Sequence, residues 1–243
     1  MILEIIPVKI KKEIERNTDI IDLVLESTII NDYDILIFSQ KIISKKEGRI
    51  VDLSSVNPSL LASGIASSYE KDPRLVELIL SESKRIVRMQ DGVIIVETNH
   101  GFVCANAGID ESNVKDGYVT MLPVDSDQSA DKLKNQIEQR TKKNIAVIIS
   151  DTFGRPFRLG QANIAIGIAG IEPIMDYKGK PDTFGNPLQV TAIAIADELC
   201  SASELVMGKV ENCPVAIIRN FKFDFSNSKI QKIIRPKTED MFR

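Results

Sequence analysis

The chain has 243 residues and a formal net charge of −3, with one histidine, three cysteines and no tryptophan. With 43% hydrophobic and 27% charged residues it is long and apolar enough to bury a sizeable core, which excludes disorder as its main state. Near-balanced charge argues against a dedicated nucleic-acid or membrane surface, and the lone His100 excludes any metal site or triad that needs two imidazoles from one chain. Cys104, Cys200 and Cys213 are widely spaced without a C-x-x-C, so neither a disulfide framework nor a zinc knuckle is expected, and a reducing, cytoplasmic compartment fits. Lys9, Lys11, Lys12, Glu13 and Glu15 interrupt residues 1–16, unlike a signal peptide. The most apolar runs, 145–149 and 164–171, fall far short of the ~18–20 residues that span a bilayer.

In chain order, Asn17 and Thr18 introduce a helix over 19–27, and DILIF (34–38) reads as a buried strand. Residues 41–46 form a basic segment that places Lys41 and Lys45 on one face if helical. Asp72 as N-cap and Pro73 in the first turn predict a helix over 73–89. GVIIVE (92–97) is the next strand, a helix over 129–142 puts Leu133 and Ile137 on one face, and IAVIIS (145–150) is a third strand. Residues 160–170 read as glycine-softened strand and turn, and 177–187 as one long functional loop. The longest helix is expected over 189–207, stopped by Gly208, before a last strand at 215–219. Near-continuous β-branched strands imply cover on both faces. The pattern is that of an α+β or α/β protein with mixed sheets and packed helices. No low-complexity linker divides it, so a single domain over 1–243, with two intertwined lobes as a variant, is expected.

Three stretches could carry chemistry. In SDTFGRPFR (150–158) a carboxylate and a hydroxyl, Asp151 and Thr152, follow a buried strand. Such hard oxygens suit Mg²⁺ or Mn²⁺ beside a phosphate, at the sheet edge where open sheets bind ligands. Gly154 would turn the backbone, and Arg155 and Arg158 would neutralise anionic oxygens; an Asp-capped turn with solvated arginines is the alternative. Over 104–131, Asp110, Glu111, Asp116, Asp125, Asp127 and Asp131 face only Lys115, a local charge of −5. That density asks for solvent or a cation, and Asp110 could partner Asp151. Over 40–49, Lys41, Lys45, Lys46 and Arg49 surround Glu47, a local charge of +3; two lysines four apart could hold a polyphosphate, or the segment is simply a solvated basic helix. Together the three point to a metal–nucleotide site.

Several signatures are missing. The chain has no G-x-x-x-x-G-K-[ST], no G-x-S-x-G, and residues 160–170 do not fit G-x-G-x-x-G. His100 reads as a surface or structural residue, and Cys104 and Cys213 as small buried hydrophobes.

The motifs SQKIISKKEGR (39–49), NAGIDESNV (106–114), SDTFGRPFR (150–158) and ADELCSASELVMGK (196–209), in this order over nearly the whole chain, resemble the coenzyme F420-0:L-glutamate ligases, or F420 γ-glutamyl ligases. The resemblance implies an α+β fold and a homodimer that uses GTP, two divalent ions (Mg²⁺ or Mn²⁺) per subunit and K⁺ to join L-glutamate to F420-0, followed by a γ-linked glutamate. Carried to matching positions, it makes Asp110 and Asp151 divalent-metal ligands and places Thr152 on a second metal. It sets Ile14, Gln40, Lys41, Lys45 and Asn113 around the nucleotide, with Met207, Gly208, Lys209, Val210, Glu211 and Asn212 closing over it. Two positions depart. Lys209 stands where some members carry Glu, so a metal ligand does not transfer there and the ammonium could contact phosphate instead. KIKKEI (9–14) lacks a proline common at that place, so only Ile14 carries over. The flavin-binding reductase-like domain fused to some bacterial members has no counterpart within these residues.

Amide synthesis from a carboxylate needs an acyl phosphate, and phosphoryl transfer needs positioning and charge neutralisation rather than histidine. No residue declares itself as the base for the glutamate amine. Besides the ligase, a same-fold ligase for another carboxylate, a two-metal nucleotide phosphohydrolase and a non-catalytic nucleotide-binding module remain open.

Overall fold

The computed structural model describes residues 2–241; Met1, Phe242 and Arg243, and with them both ends of the expected 1–243 domain, lie outside the described residues. In chain order the elements are β1 (Glu4–Val8), α1 (Ile20–Ser27), β2 (Ile35–Ser39), α2 (Gln40–Lys46), β3 (Ile50–Asp52), α3 (Leu60–Tyr69), α4 (Pro73–Ser81), β4 (Ser83–Gln90), β5 (Val93–Thr98), β6 (Val103–Ala105), β7 (Tyr118–Thr120), α5 (Ser126–Thr141), β8 (Ala146–Arg155), β9 (Arg158–Ala169), β10 (Met175–Asp176), β11 (Ala192–Ile193), α6 (Ile195–Met207) and β12 (Val215–Arg219). This is an α+β architecture with mixed sheets. The principal sheet runs β1-β12-β2-β8-β9; β2 and β8 are parallel and the other pairs antiparallel. Its three central strands are buried on both faces, as their unbroken apolar runs require. A second sheet, β4-β5-β6, packs with α3 and α4 around Ile65, Val76, Ile79, Ile94 and Val96. No helix among the described residues is long and apolar enough to cross a membrane.

The outer strand of the principal sheet, β9, needs its free N–H groups covered. The first turns of two helices supply the acceptors: Asp127 of α5 accepts from the Ile168 amide at 2.8 Å and Asp197 of α6 from the Ala165 amide at 2.9 Å. Burial raises the pKa of both carboxyls. Gly167 lets α5 come this close, because a Cβ there would stand 2.5 Å from the Ser126 backbone.

Several expected boundaries move. The helix expected over 73–89 stops at Ser81, and Ser83–Gln90 pairs instead with β5. The turn between them is Asp91-Gly92, both at positive φ, a dipeptide that favours a tight hairpin and carried the missed signal. Helix α5 starts at Ser126 with Asp125 as N-cap, three residues before the expected start. Helix α6 starts at Ile195, because part of 189–194 is β11. Asp19, within the expected helix, is itself the N-cap of α1. Strand β8 runs on through Asp151 to Arg155, so Asp151 and Thr152 lie in strand and the chain reverses around Phe157, at positive φ, rather than at Gly154.

Candidate active site

A cleft of about 1100 Å³ opens where β2 and β8 end their parallel pairing at Ser39 and Ser150, the position at which open sheets take ligands. Its walls are the start of α2, residues 104–115, the β8 segment 150–154, residues 207–214 after α6, and residues 10–14. Every position singled out by the resemblance lines it: Ile14, Gln40, Lys41, Lys45, Asp110, Asn113, Asp151, Thr152, Met207, Gly208, Lys209, Val210, Glu211 and Asn212.

On the basic side, α2 forms as the spacing suggests, and Lys41 and Lys45 both reach the cleft. Lys41 Nζ lies 2.7 Å from Asp110 Oδ2 and 2.6 Å from Ser112 Oγ, and Lys45 pairs with Glu13. The other two cations of the stretch are used elsewhere: Lys46 donates to the Thr18 carbonyl at 2.7 Å and Arg49 pairs with Glu82 at 2.8 Å. Gln40, 2% exposed, commits its Nε2 to Ser44 Oγ and the Met121 carbonyl.

On the acidic side, Asp110 forms an isolated bridge with Thr120 and accepts from the Ser112 amide at 2.7 Å. Burial would raise its carboxyl, but Lys41 and Ser112 hold it below the ordinary value. Asp151 is in the opposite condition. Burial, with Asp110 adding repulsion, pushes it up to about 6, against a hydrogen bond from the Thr152 amide. It has no ion-pair partner among the described residues. The loop carrying Asp110 turns through three consecutive residues at positive φ, Asn106, Ala107 and Gly108, and a Cβ on Gly108 would meet Leu122 at 2.8 Å.

The acidic stretch over 104–131 is not a metal loop as a whole, and only Asp110 of its six carboxylates reaches the cleft. Asp125 caps α5, Asp127 covers β9, and Asp131 pairs with Lys229 at 2.5 Å. Arg155 and Arg158 stand at the far end of the β8–β9 hairpin, outside the cleft lining, where Arg155 bonds the Leu159 carbonyl. Residues 177–187 also lie outside the lining. The His100 Nε2–H donates to the Pro123 carbonyl at 2.8 Å, and the residue is structural. The three cysteines are buried, and Cys104 at the cleft is pushed up to about 12 by burial, so its thiol stays protonated.

The residues missed in the sequence are Asn163 and Glu204. Asn163 accepts from the Thr152 hydroxyl at 2.7 Å and donates to Glu204 Oε2 at 2.8 Å, while Lys209 Nζ sits 2.8 Å from Thr152 Oγ1 and 2.9 Å from Glu204 Oε1. The position of Asn163 opposite Thr152 in the β8–β9 register becomes readable only once that pairing is known.

The donor set fits a hard cation. Asp110, Asp151 and Thr152 offer only oxygen, and Asp151 makes no ion pair among the described residues, Lys41 and Lys209 being paired with Asp110 and Glu204. No group of three His, Cys, Asp or Glu side chains converges among the described residues; ions such as Mg²⁺ are commonly held by one or two carboxylates, with water and phosphate completing the shell.

The fold and cleft thus define an α+β protein that sets two lysines against an undercompensated carboxylate pair. The family model for F420-0:gamma-glutamyl ligase matches residues 8–220, and the chain belongs to that family. A coenzyme F420:L-glutamate ligase of Methanocaldococcus jannaschii is 48% identical over 215 residues, 88% of this chain and 86% of that protein. The protein of the same name from Methanopyrus kandleri is 40% identical over 99% of this chain and 98% of its own length, and that from Archaeoglobus fulgidus 36% identical over 100% and 97%.

Proposed function

We propose that the chain is a GTP-dependent ligase that joins L-glutamate to the carboxylate of coenzyme F420-0 and then adds a γ-linked glutamate, working as a cytoplasmic homodimer with Mg²⁺ or Mn²⁺ and K⁺. The observation that carries the reading is one cleft in which Lys41 and Lys45 stand beside the Asp110–Asp151 pair; family membership and the names of the relatives supply the acceptor and the amine.

In the first step an acceptor carboxylate oxygen bonds the γ-phosphorus of GTP and the bond to GDP breaks, leaving an acyl phosphate. In the second, the glutamate nitrogen bonds the acyl carbon, inorganic phosphate departs and the nitrogen loses a proton. Lys41 and Lys45 orient the triphosphate and offset its charge, which is most of what phosphoryl transfer asks of a protein. Asp110 and Asp151, with Thr152 beside them, would hold divalent metal, which when bound neutralises phosphate oxygens. The protonated Cys104 takes no nucleophilic part.

The test is product analysis by mass spectrometry with F420-0, L-glutamate, GTP and Mn²⁺. Addition of one and then two glutamates, with GDP and phosphate released only when acceptor and glutamate are both present, is expected. GTP hydrolysis without acceptor, and no mass gain on F420-0, would overturn the reading.

A further inference from the structure

Four side chains from separate parts of the chain close a ring at the Thr152 edge of the cleft. The Lys209 ammonium has three oxygens around it: Thr152 Oγ1 at 2.8 Å, Glu204 Oε1 at 2.9 Å and Asn163 Oδ1 at 3.3 Å. Asn163 completes the ring by accepting from Thr152 and donating to Glu204. The Thr152 hydroxyl is therefore engaged both as donor and as acceptor, and the negative charge of Glu204 is matched by Lys209. An ammonium among three oxygens occupies the kind of surroundings that a hard metal ion seeks.

We infer that Lys209 is a built-in cation at the Thr152 edge, standing in place of a second divalent ion, so that the chain takes one exchangeable divalent ion, between Asp110 and Asp151, rather than two. The inference rests on the nucleotide–metal reading of this cleft. Charge separates the two positions. Asp151 makes no ion pair among the described residues, Lys41 being spent on Asp110 at 2.7 Å and Lys209 on Glu204 at 2.9 Å so that both act on Asp151 only through space, and one cation is still wanted there. At Thr152 the charges are balanced. A divalent ion about 2.1 Å from the Thr152 oxygen would stand within about 5 Å of the Lys209 ammonium, and like charges that close are poorly screened in a half-enclosed cleft. Binding it would require Lys209 to leave Glu204 and Thr152 together.

Counting Mn²⁺ tests this without turnover. The full chain is titrated with Mn²⁺ alone and with a non-hydrolysable GTP analogue, free Mn²⁺ being followed by electron paramagnetic resonance against an analogue-only control. One Mn²⁺ per chain with the spectrum of an isolated ion is expected in the wild type, and two per chain with a spin-coupled spectrum in Lys209→Glu. Two ions in the wild type, none in the wild type, or one in both proteins would overturn the inference. The wild-type count decides by itself should the variant fail to fold. Failure of the ligase reading registers separately, in the product masses, whatever the ion count.

Discussion

Two aspartates bracket the parallel pair at the centre of the principal sheet. Asp34, just before β2, is 1% exposed and is met by Arg219 Nε at 2.9 Å, Arg219 Nη2 at 2.7 Å and the Asn31 amide at 2.7 Å. Asp151, one residue beyond the last pairing of β8 with β2, has the Thr152 amide and, among the described residues, no ion pair, with Lys41 and Lys209 acting on it only through space. The amino-terminal end of the pair is closed by a two-pronged ion pair, whereas the carboxyl end holds a carboxylate the fold has left undercompensated. A buried charge is costly unless paired, so the unpaired one marks where a ligand supplies what the chain does not.

The largest test of this contrast is Asp151→Asn, which keeps shape and removes charge. Glutamate addition should fall by at least ~10²-fold, the scale of losing a group that organises charge at the reacting centre. Thermal unfolding should be unchanged or move upward, because a poorly compensated carboxylate is gone. A melting loss in this variant would erase the distinction between the two aspartates.

The converse substitution, Arg219→Met, leaves Asp34 buried without its partner and should cost about 3–5 kcal/mol in urea unfolding. The protein that remains folded should keep its nucleotide affinity. A cost below ~1 kcal/mol would show that Asp34 does not depend on the guanidinium.

Asp197 lies between these extremes, with the Ala165 amide as backbone donor and no ion pair among the described residues. Burial raises its folded pKa above the ordinary 3.8, so the folded state binds the proton more tightly than the unfolded one. Its stabilising contribution is present in full below the unfolded pKa and is lost as pH rises through the folded pKa. Asp197→Asn keeps an acceptor for Ala165 and cannot ionise. Its stability relative to wild type should therefore grow, by less than ~1 kcal/mol, as pH rises above 3.8, measured as melting temperature against pH. A gap that is flat with pH would place Asp197 in an unperturbed environment.

Local chemistry was legible in the sequence. Continuous apolar runs located β2, β5, β8 and β12, Asp72-Pro73 located the start of α4, and the two lysines of α2 took the shared face their spacing dictates. Caps, periodicity and propensity act over one or two turns, so residues adjacent in sequence carry them. The hairpin after α4 escaped because a short apolar segment such as IVRM suits helix and strand alike until β5 pairs with it. Charge was legible only as totals. Which of six carboxylates in the acidic stretch would meet Asp151, and which of four cations in the basic stretch would reach the cleft, depended on segments more than thirty residues apart in sequence being brought together by the sheet. The ring of Thr152, Asn163, Glu204 and Lys209 is of the same kind: Thr152 and Lys209 stand out in the sequence, but nothing there joins them to each other or to Asn163 and Glu204. Only the pairing of β8 with β9 and the docking of α6 bring them within hydrogen-bond distance, because Coulomb and hydrogen-bond forces depend on distance in space and not along the chain.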